Sequence, residues 1–329
     1  MKKRSIFIIS MVIILIAIVP IFLTNEEVNH APYKVGILIS GTERLVKLEG
    51  MKKGLQDLGL VEGIHVEYIV KNSNHNMEQM RSYAIELDEG DYDVIIAGGA
   101  IEATYLKELR GSTPVVFIGV ASVDELELVN NLQRPEGRMT GLDNGHTDLS
   151  GKRVQLLKML LPETRRVIAI YDNNIEASKI SLEKVKEVVK ELQLKIAPIS
   201  VSNESQFDAL KQVSFSDNDA IVILPSYYLE KMSKEIGQLG IEKKVPIFGV
   251  NSNDVTNGIL FSYGISYFDQ GYQCASMISR ILYGQTPTEI PVEKPDHIQL
   301  LVNGDTKEII QVNISSIGQA YAEEIREKE

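Results

Sequence analysis

The chain contains two stretches, residues 35–120 and 167–263, in which short runs rich in Val and Ile alternate with helix-like segments. Each stretch offers four or five such runs, and a segment with helical periodicity separates successive runs. Alternation of this kind predicts parallel strands whose connecting helices cover the sheet. We therefore expect an α/β protein with two Rossmann-like lobes, each built on a parallel sheet.

Two segments of different character predict where the chain passes between the lobes. Residues 121–145 contain Pro135 and three glycines, and the Pro-rich residues 286–295 cannot be helical. With a return near residue 264, three hinge crossings are expected. The predicted N-terminal lobe is residues 33–145 plus 264–290, and the predicted C-terminal lobe is residues 146–263 plus 291–329.

Hydrophobic periodicity predicts the individual elements of both lobes. Strands are expected at residues 35–39, 65–70, 94–97, 115–120, 167–171, 196–201, 220–224, 245–249, 259–263 and 297–302. Helices are expected at residues 44–58, 77–87, 101–109, 177–192, 206–213, 229–239, 267–283 and 315–327.

The N-terminus has the pattern of a membrane-directed segment. Three basic residues precede residues 5–23, which carry no charge. Basic residues before an apolar segment keep the N-terminus in the cytoplasm, so the chain that follows is exported across the membrane. About 20 apolar residues are needed to cross the hydrocarbon core of a bilayer. Residues 24–31 lack a clear signal-peptidase site and the cysteine needed for lipid attachment. We expect residues 1–32 to form an uncleaved hydrophobic anchor helix with a linker, in preference to a cleaved signal that would secrete the protein. The globular part is extracytoplasmic in either case.

Composition and missing motifs argue against several functions. The formal net charge of −11 argues against a nucleic-acid partner, because phosphates require a basic face. No nucleophile elbow, zinc-protease motif or phosphate-binding loop is present, and the five histidines are scattered. Cys274 is the single cysteine, and its helical setting is typical of a packed thiol. We expect no enzyme activity, no cofactor and no metal site.

Small, polar and hydroxyl residues follow six of the predicted strands. Parallel sheets bind ligands beyond the carboxyl ends of their strands, and free N–H groups at helix N-termini bind carboxylates or phosphates. For any single loop, helix capping explains the same residue types. The adjacent glycines 98 and 99 would let a ligand approach the backbone closely. The candidate ligand-binding residues from these loops are Ser40, Gly41, Thr42, Gly98, Gly99, Ala100, Ser122, Asp124, Asn174, Ser226, Tyr227 and Asn251, with Tyr263 as a possible aromatic wall.

Several stretches together resemble a known family. They include DYDVIIAGGAIEA at 91–103, KRVQLLKMLLPETRRVIAIYD at 152–172 and FSYGISYFDQGYQCASMISRILYGQTPTEIPVE at 261–293. Their order and spacing are similar to those of bacterial ABC-transporter substrate-binding proteins of the periplasmic-binding-protein type I fold. The subgroup is the one associated with aromatic or similar amino acids, and the resemblance covers residues 35–324.

The resemblance implies an extracytoplasmic monomer that closes two lobes over a small polar ligand, with ABC permease subunits as membrane partners. An amino acid or similar ligand is expected. Family ligand contacts fall by position on Ser40, Gly98, Gly99, Ala100, Ser122, Asn174, Glu176, Ser226 and Asn251. The first loop departs from the family, because Thr42-Glu-Arg44 stands where members often have a His-Pro pair. Two alternatives stay open: a sensory module that signals to a membrane partner, or a nucleoside or sugar ligand, although a chain without tryptophan argues mildly against sugars.

Overall fold

The computed structural model describes residues 31–326. The predicted N-terminal helix falls outside this range. None of the helices within residues 31–326 combines the length and the hydropathy that a membrane span requires. The described chain forms two lobes, each organised around one β-sheet.

The first lobe is built on a five-stranded parallel sheet with strand order β2-β1-β3-β4-β5. The inner strands β3 and β4 are buried at every residue, as continuous apolar runs in parallel sheets require. The strands are β1 Tyr33–Ile39, β2 Val66–Asn72, β3 Val94–Ala97, β4 Val115–Val120 and β5 Met139–Asp143. The helices between them are α1 Leu45–Asp57, α2 Met77–Glu89 and α3 Ala100–Glu108, and a short 3-10 helix, Thr42–Arg44, precedes α1.

The second lobe has a seven-stranded sheet in the order β12-β11-β10-β9-β8-β6-β7. All pairs are parallel except β10 with β11, so the expectation of a purely parallel sheet is corrected at that pair. Its strands are β6 Arg166–Tyr171, β7 Lys195–Ser200, β8 Asp219–Ile223, β9 Ile247–Gly249, β10 Phe261–Gly264, β11 Gln299–Asn303 and β12 Glu323–Ile325. The helices that follow the first lobe in sequence are α4 Leu149–Leu160, α5 Glu176–Glu191, α6 Glu204–Lys211, α7 Tyr227–Lys231, α8 Ser233–Lys243, α9 Ser252–Thr256, α10 Tyr267–Leu282, α11 Gly304–Ile310 and α12 Ser316–Tyr321.

Helix α10 returns the chain to the first lobe. It follows β10 of the second sheet, yet it packs on α1 and contributes to the core around β1, β3 and β4. The helices approach closely because glycines stand at their contact. A Cβ atom on Gly50 would lie 1.9 Å from the Phe268 carbonyl oxygen, and one on Gly271 would lie 1.8 Å from the Lys47 carbonyl oxygen. The chain therefore passes between the two sheets after β5, after β10 and before β11.

Several expectations need correction. Residues 121–145 are more than a crossing, because they contain the edge strand β5. That strand has few large apolar residues, and its Gly141 adopts φ +156°. Helices α4, α9 and α11 were not expected, and the helix predicted at 229–239 is divided at Met232 into α7 and α8. The predicted final helix ends at Tyr321, since the following residues pair with β11 as β12. The passage before β11 starts later than residue 290, because Val292 packs in the core of the first lobe.

Candidate functional site

A cavity of about 540 Å³ lies between the two lobes, within the size range of small-molecule sites. Its lining comes from loops and helices that follow the carboxyl ends of strands in both sheets, where ligands bind in such folds. The first lobe contributes Arg44, Lys47, Ala100, Ile101, Thr104, Tyr105, Glu108, Gly119, Ala121, Leu126 and Tyr267. The second lobe and the first crossing contribute Asn144, His146, Asn174, Ile175, Glu176, Ala177, Ile223, Leu224, Pro225, Ser226, Tyr227, Leu229, Glu230, Val250, Asn251 and Asp254.

One face of α3 lines the cavity along most of the helix. The lining residues Ala100, Ile101, Thr104, Tyr105 and Glu108 recur at the three- and four-residue spacing of a single helix face. At 1.5 Å per residue, this face extends about 12 Å. Most lining residues contributed by the strand ends of the second lobe are apolar. The lining of the cavity as a whole is mainly apolar, and we call the part of the cavity along α3 the channel.

A cluster of buried charges lies at the start of this channel. The Arg44 guanidinium donates to Glu102 Oε2 at 2.6 Å and to Glu230 Oε2 at 3.4 Å. Glu102 is fully buried in the first lobe and also accepts the Ser40 N–H at 2.7 Å. Glu230 belongs to α7 of the second lobe. One arginine therefore joins a buried carboxylate of its own lobe to a carboxylate of the opposite lobe.

Lys47 supplies the second cation of the cluster. Its ammonium donates to the carbonyl oxygens of Gly98 and Ile118 at 2.9 and 3.0 Å, and it lies 4.9 Å from the centre of the Tyr267 ring. Burial and then the neighbouring Arg44 charge lower the pKa of Lys47 to about 8. The lysine stays largely protonated at neutral pH.

Three buried polar atoms of the lining residues make no hydrogen bond within the described part of the chain. They are Arg44 Nε, His146 Nε2 and Glu230 Oε1. Burial alone would raise the pKa of Glu230, but the Arg44 and Lys47 charges outweigh it and lower the pKa. Glu230 is therefore a carboxylate whose Oε1 makes no hydrogen bond within the described residues, and the neighbouring Tyr267 hydroxyl helps to lower the pKa of this group. Because unpaired buried polar atoms destabilise a protein, these atoms mark places where a ligand would be stabilised.

The sequence matches a known protein family over nearly all of the described residues. Residues 34–325 match the family model of ABC transporter substrate binding proteins. The chain belongs to this family. The resemblance inferred from the sequence is confirmed, and the protein is a substrate-binding protein of an ABC transporter.

Individual relatives of this substrate-binding protein are distant in sequence. A tyrosine-binding protein of Clostridioides difficile strain R20291 is 22% identical over 258 residues, which is 78% of this chain and 74% of the relative. A conserved domain protein from Vibrio cholerae has a TM-score of 0.81 at 22% identity, covering 89% of this chain and 99% of that one. An ABC domain from Streptococcus pneumonia, solved in complex with L-Trp, has a TM-score of 0.76 at 20% identity, with the same coverage. At these identities, the solved structures show a shared fold.

Six of the residues predicted for the binding site line the cavity of the substrate-binding protein: Ala100, Asn174, Glu176, Ser226, Tyr227 and Asn251. Two of them also cap helices, as the alternative explanation proposed. Ser226 Oγ accepts the N–H groups of Tyr228 and Leu229 and donates to Asp172 Oδ2 at 3.0 Å. Asn251 forms a capping box with Asp254. Whether these six residues contact the ligand remains a prediction.

The other eight predicted residues stand outside the lining of the cavity: Ser40, Gly41, Thr42, Gly98, Gly99, Ser122, Asp124 and Tyr263. Thr42 and Asp124 are exposed. Ser122 is buried and bonds through Oγ to Thr147 Oγ1 at 2.6 Å. The Tyr263 side chain packs on the core of the second lobe.

Gly99 permits a close approach, but the approaching group is a side chain of the protein. A Cβ atom at Gly99 would lie 1.9 Å from Arg44 Nη1, and a Cβ atom at Gly41 would meet the side chains of Glu43 and His75. The carbonyl of Gly98 is held by Lys47. Gly99 therefore makes room for Arg44 of the cluster, and Gly41 makes room for Glu43 and His75.

The residues missed in the sequence are the charged ones: Arg44, Lys47 and Glu230, together with His146. The sequence does contain an indication of the charged cluster, because Arg44 and Lys47 stand at the start of α1. Cations are disfavoured at a helix N-terminus by the helix dipole, so two of them there indicate anionic partners nearby.

Proposed function

We propose that the ligand is an amino acid with a large, mainly apolar side chain, most simply an aromatic one, bound as a zwitterion. The observation that carries the proposal is the joining of an apolar channel to a cluster with both signs of charge. The names of the relatives support it, since one is a tyrosine-binding protein and another was solved with L-Trp.

The charge balance of the cluster suits a ligand without net charge. Arg44 and Lys47 face Glu102 and Glu230, and the charge of nearby Asp254 is balanced by that of Arg153. Buried charge is costly unless it is paired, so a ligand with a single charge would upset this balance. A zwitterion would place its carboxylate near Arg44 and Lys47 and its ammonium near Glu230 Oε1, which makes no hydrogen bond within residues 31–326.

The channel along α3 would hold the side chain. The α3 face that lines it is about 12 Å long, which is enough to flank the side chain of an aromatic amino acid beyond the charged end. Tyr105 and Tyr227 both line the cavity and offer ring surfaces to an aromatic partner. The polar groups would then fix orientation and the apolar lining would bind the bulk of the ligand.

We also propose where the protein acts and which partners it has. The protein acts as an extracytoplasmic monomer that delivers its ligand to ABC permease subunits and carries out no reaction, and it has no nucleic-acid partner. The uncharged residues 5–23 keep it at the membrane as an anchor. Mass spectrometry of the native protein tests the anchor, because a mature N-terminus between residues 24 and 33 would contradict it.

Isothermal titration calorimetry on the full-length protein tests the ligand class. The panel is L-tyrosine, L-tryptophan, L-phenylalanine, tyramine, 3-(4-hydroxyphenyl)propanoate, adenosine and arabinose. We expect at least one aromatic amino acid to bind at one site per chain. Tyramine and the propanoate should bind at least about tenfold more weakly than tyrosine, because each leaves a buried charged group unpaired. Binding of adenosine or arabinose without binding of any amino acid would refute the proposal.

A further inference from the structure

His146 stands where the chain leaves the first lobe, three residues after β5, and it is one of the residues that line the cavity. The residue is buried, with 5% exposure. Its Nε2 atom has no hydrogen-bond partner within residues 31–326. A buried ring nitrogen beside an open cavity is a candidate ligand contact, provided its protonation state can be assigned.

Arg153 of α4 lies behind this ring and is fully buried. It donates to the carbonyl oxygens of Tyr263 at 2.9 Å, His146 at 2.8 Å and Val250 at 3.3 Å. These carbonyls belong to the end of β10, the first crossing and the loop after β9. Arg153 therefore holds three segments of backbone around His146 in place through these hydrogen bonds.

The same guanidinium sets the tautomer of His146. Its Nη2 lies 3.3 Å from His146 Nδ1. A guanidinium can only donate, so Nδ1 must accept and the ring proton must be on Nε2. Burial and the charges of Arg153 and Lys47 hold the pKa of His146 well below its usual value, so the ring carries no second proton. The free atom is a donor.

We propose that His146 Nε2–H donates a hydrogen bond to the carboxylate of the bound ligand, and that Arg153 is the positioning residue that fixes its tautomer. The inference rests on the proposed function and adds a third group to the donors that meet the carboxylate. Of the two charged ends of the ligand, only the carboxylate can accept this hydrogen bond, because an ammonium offers only donors. The contact selects for the orientation in which the ammonium faces Glu230.

Nitrogen NMR and paired variants test this role. In the ligand-free protein, the His146 resonances should show protonated Nε2 and unprotonated Nδ1 at neutral pH. For the aromatic amino acid that binds most tightly, His146→Leu should weaken binding by about tenfold to a hundredfold. His146→Gln, which restores an N–H near the Nε2 position, should stay within about threefold of the wild type. Thermal melting of both variants controls for the fold.

Three results would overturn the inference alone: a proton on Nδ1, unchanged affinity in His146→Leu, or equal losses in His146→Leu and His146→Gln. Each leaves the proposed ligand class standing. Failure of the wild type to bind any amino acid would overturn both. Arg153→Met should abolish the single tautomer in the NMR spectrum, and if this variant does not fold, the wild-type tautomer decides the assignment.

Discussion

The Tyr227 hydroxyl of the second lobe lies 2.5 Å from His75 Nδ1 of the first lobe. Burial raises the pKa of Tyr227 to about 12, so the hydroxyl keeps its proton. His75 Nε2 lies 3.5 Å from Glu43 in the first lobe. Together with the Arg44–Glu230 pair, this contact joins the lobes across the cleft. Both contacts exist only when the lobes are close together, so they stabilise the closed form.

Tyr227→Phe should therefore speed ligand release. Loss of one hydrogen bond across the cleft should raise the dissociation rate by about fivefold and change the association rate little. Stopped-flow fluorescence or surface plasmon resonance measures both rates. Tyr228→Phe is the matched control, because Tyr228 packs in the second lobe and lies outside the cavity lining. Equal effects of the two substitutions would contradict a role for the Tyr227–His75 contact in holding the lobes together.

Glu230→Gln should weaken amino-acid binding specifically at the ammonium group. The change keeps the shape and removes the negative charge, so we expect a loss of at least about tenfold for the preferred amino acid. The affinity for the analogue of this amino acid that lacks the amino group should change much less. Calorimetry with both compounds measures the difference. Glu235→Gln is the control, since Glu235 is exposed on α8 and lies outside the cavity lining.

Gly99→Ala should disturb the site by displacing Arg44. The backbone at Gly99 is extended, so alanine is allowed there, but its Cβ would lie 1.9 Å from Arg44 Nη1. Moving the guanidinium leaves Glu102 buried without its partner, which should destabilise the fold by about 3 kcal/mol and weaken ligand binding. Chemical denaturation measures the stability. In an Arg44→Ala background, Gly99→Ala should lower the unfolding free energy little further. If Gly99→Ala destabilised this variant as much as the wild type, displacement of Arg44 would not be the cause.

Lys47 should make stability depend on pH in the alkaline range. Its pKa falls from 10.5 in the unfolded chain to about 8 in the fold. Between these values the unfolded state binds more protons, so the penalty for burying the charge is complete below pH 8 and is relieved as pH rises toward 10.5. Relative to Lys47→Met, the wild type should gain about 3 kcal/mol of unfolding free energy over this interval. Urea titrations at several pH values measure it, and parallel curves for the two proteins would contradict the lowered pKa.

Much of the fold follows from local sequence. Strands β3 and β4 were predicted at their observed bounds, because continuous apolar runs bounded by polar turns have few other solutions. Strand β5 was missed because it is short, contains a glycine, and forms a strand only by pairing with β4 at the edge of the sheet. The last strand, β12, likewise depends on a partner distant in sequence.

The charged end of the cavity could not be predicted in the same way. Helical periodicity accounts for the burial of Leu48 and Met51 on one face of α1, but it assigns charged residues to solvent by default. Arg44 and Lys47 are buried because Glu102, Glu230 and two backbone carbonyls surround them, and these partners come from other elements. Likewise, two adjacent glycines in the sequence indicate a close approach without saying which group makes it.

A crystal structure of the protein with the aromatic amino acid that binds most tightly tests the proposed binding mode most directly. We expect the ligand carboxylate within hydrogen-bond distance of Arg44, Lys47 or His146, its ammonium at Glu230, and its ring beside α3 between Ala100 and Glu108. A ligand outside this cavity, or one lying in it with the ammonium beside Arg44 and the carboxylate away from these donors, would refute this binding mode.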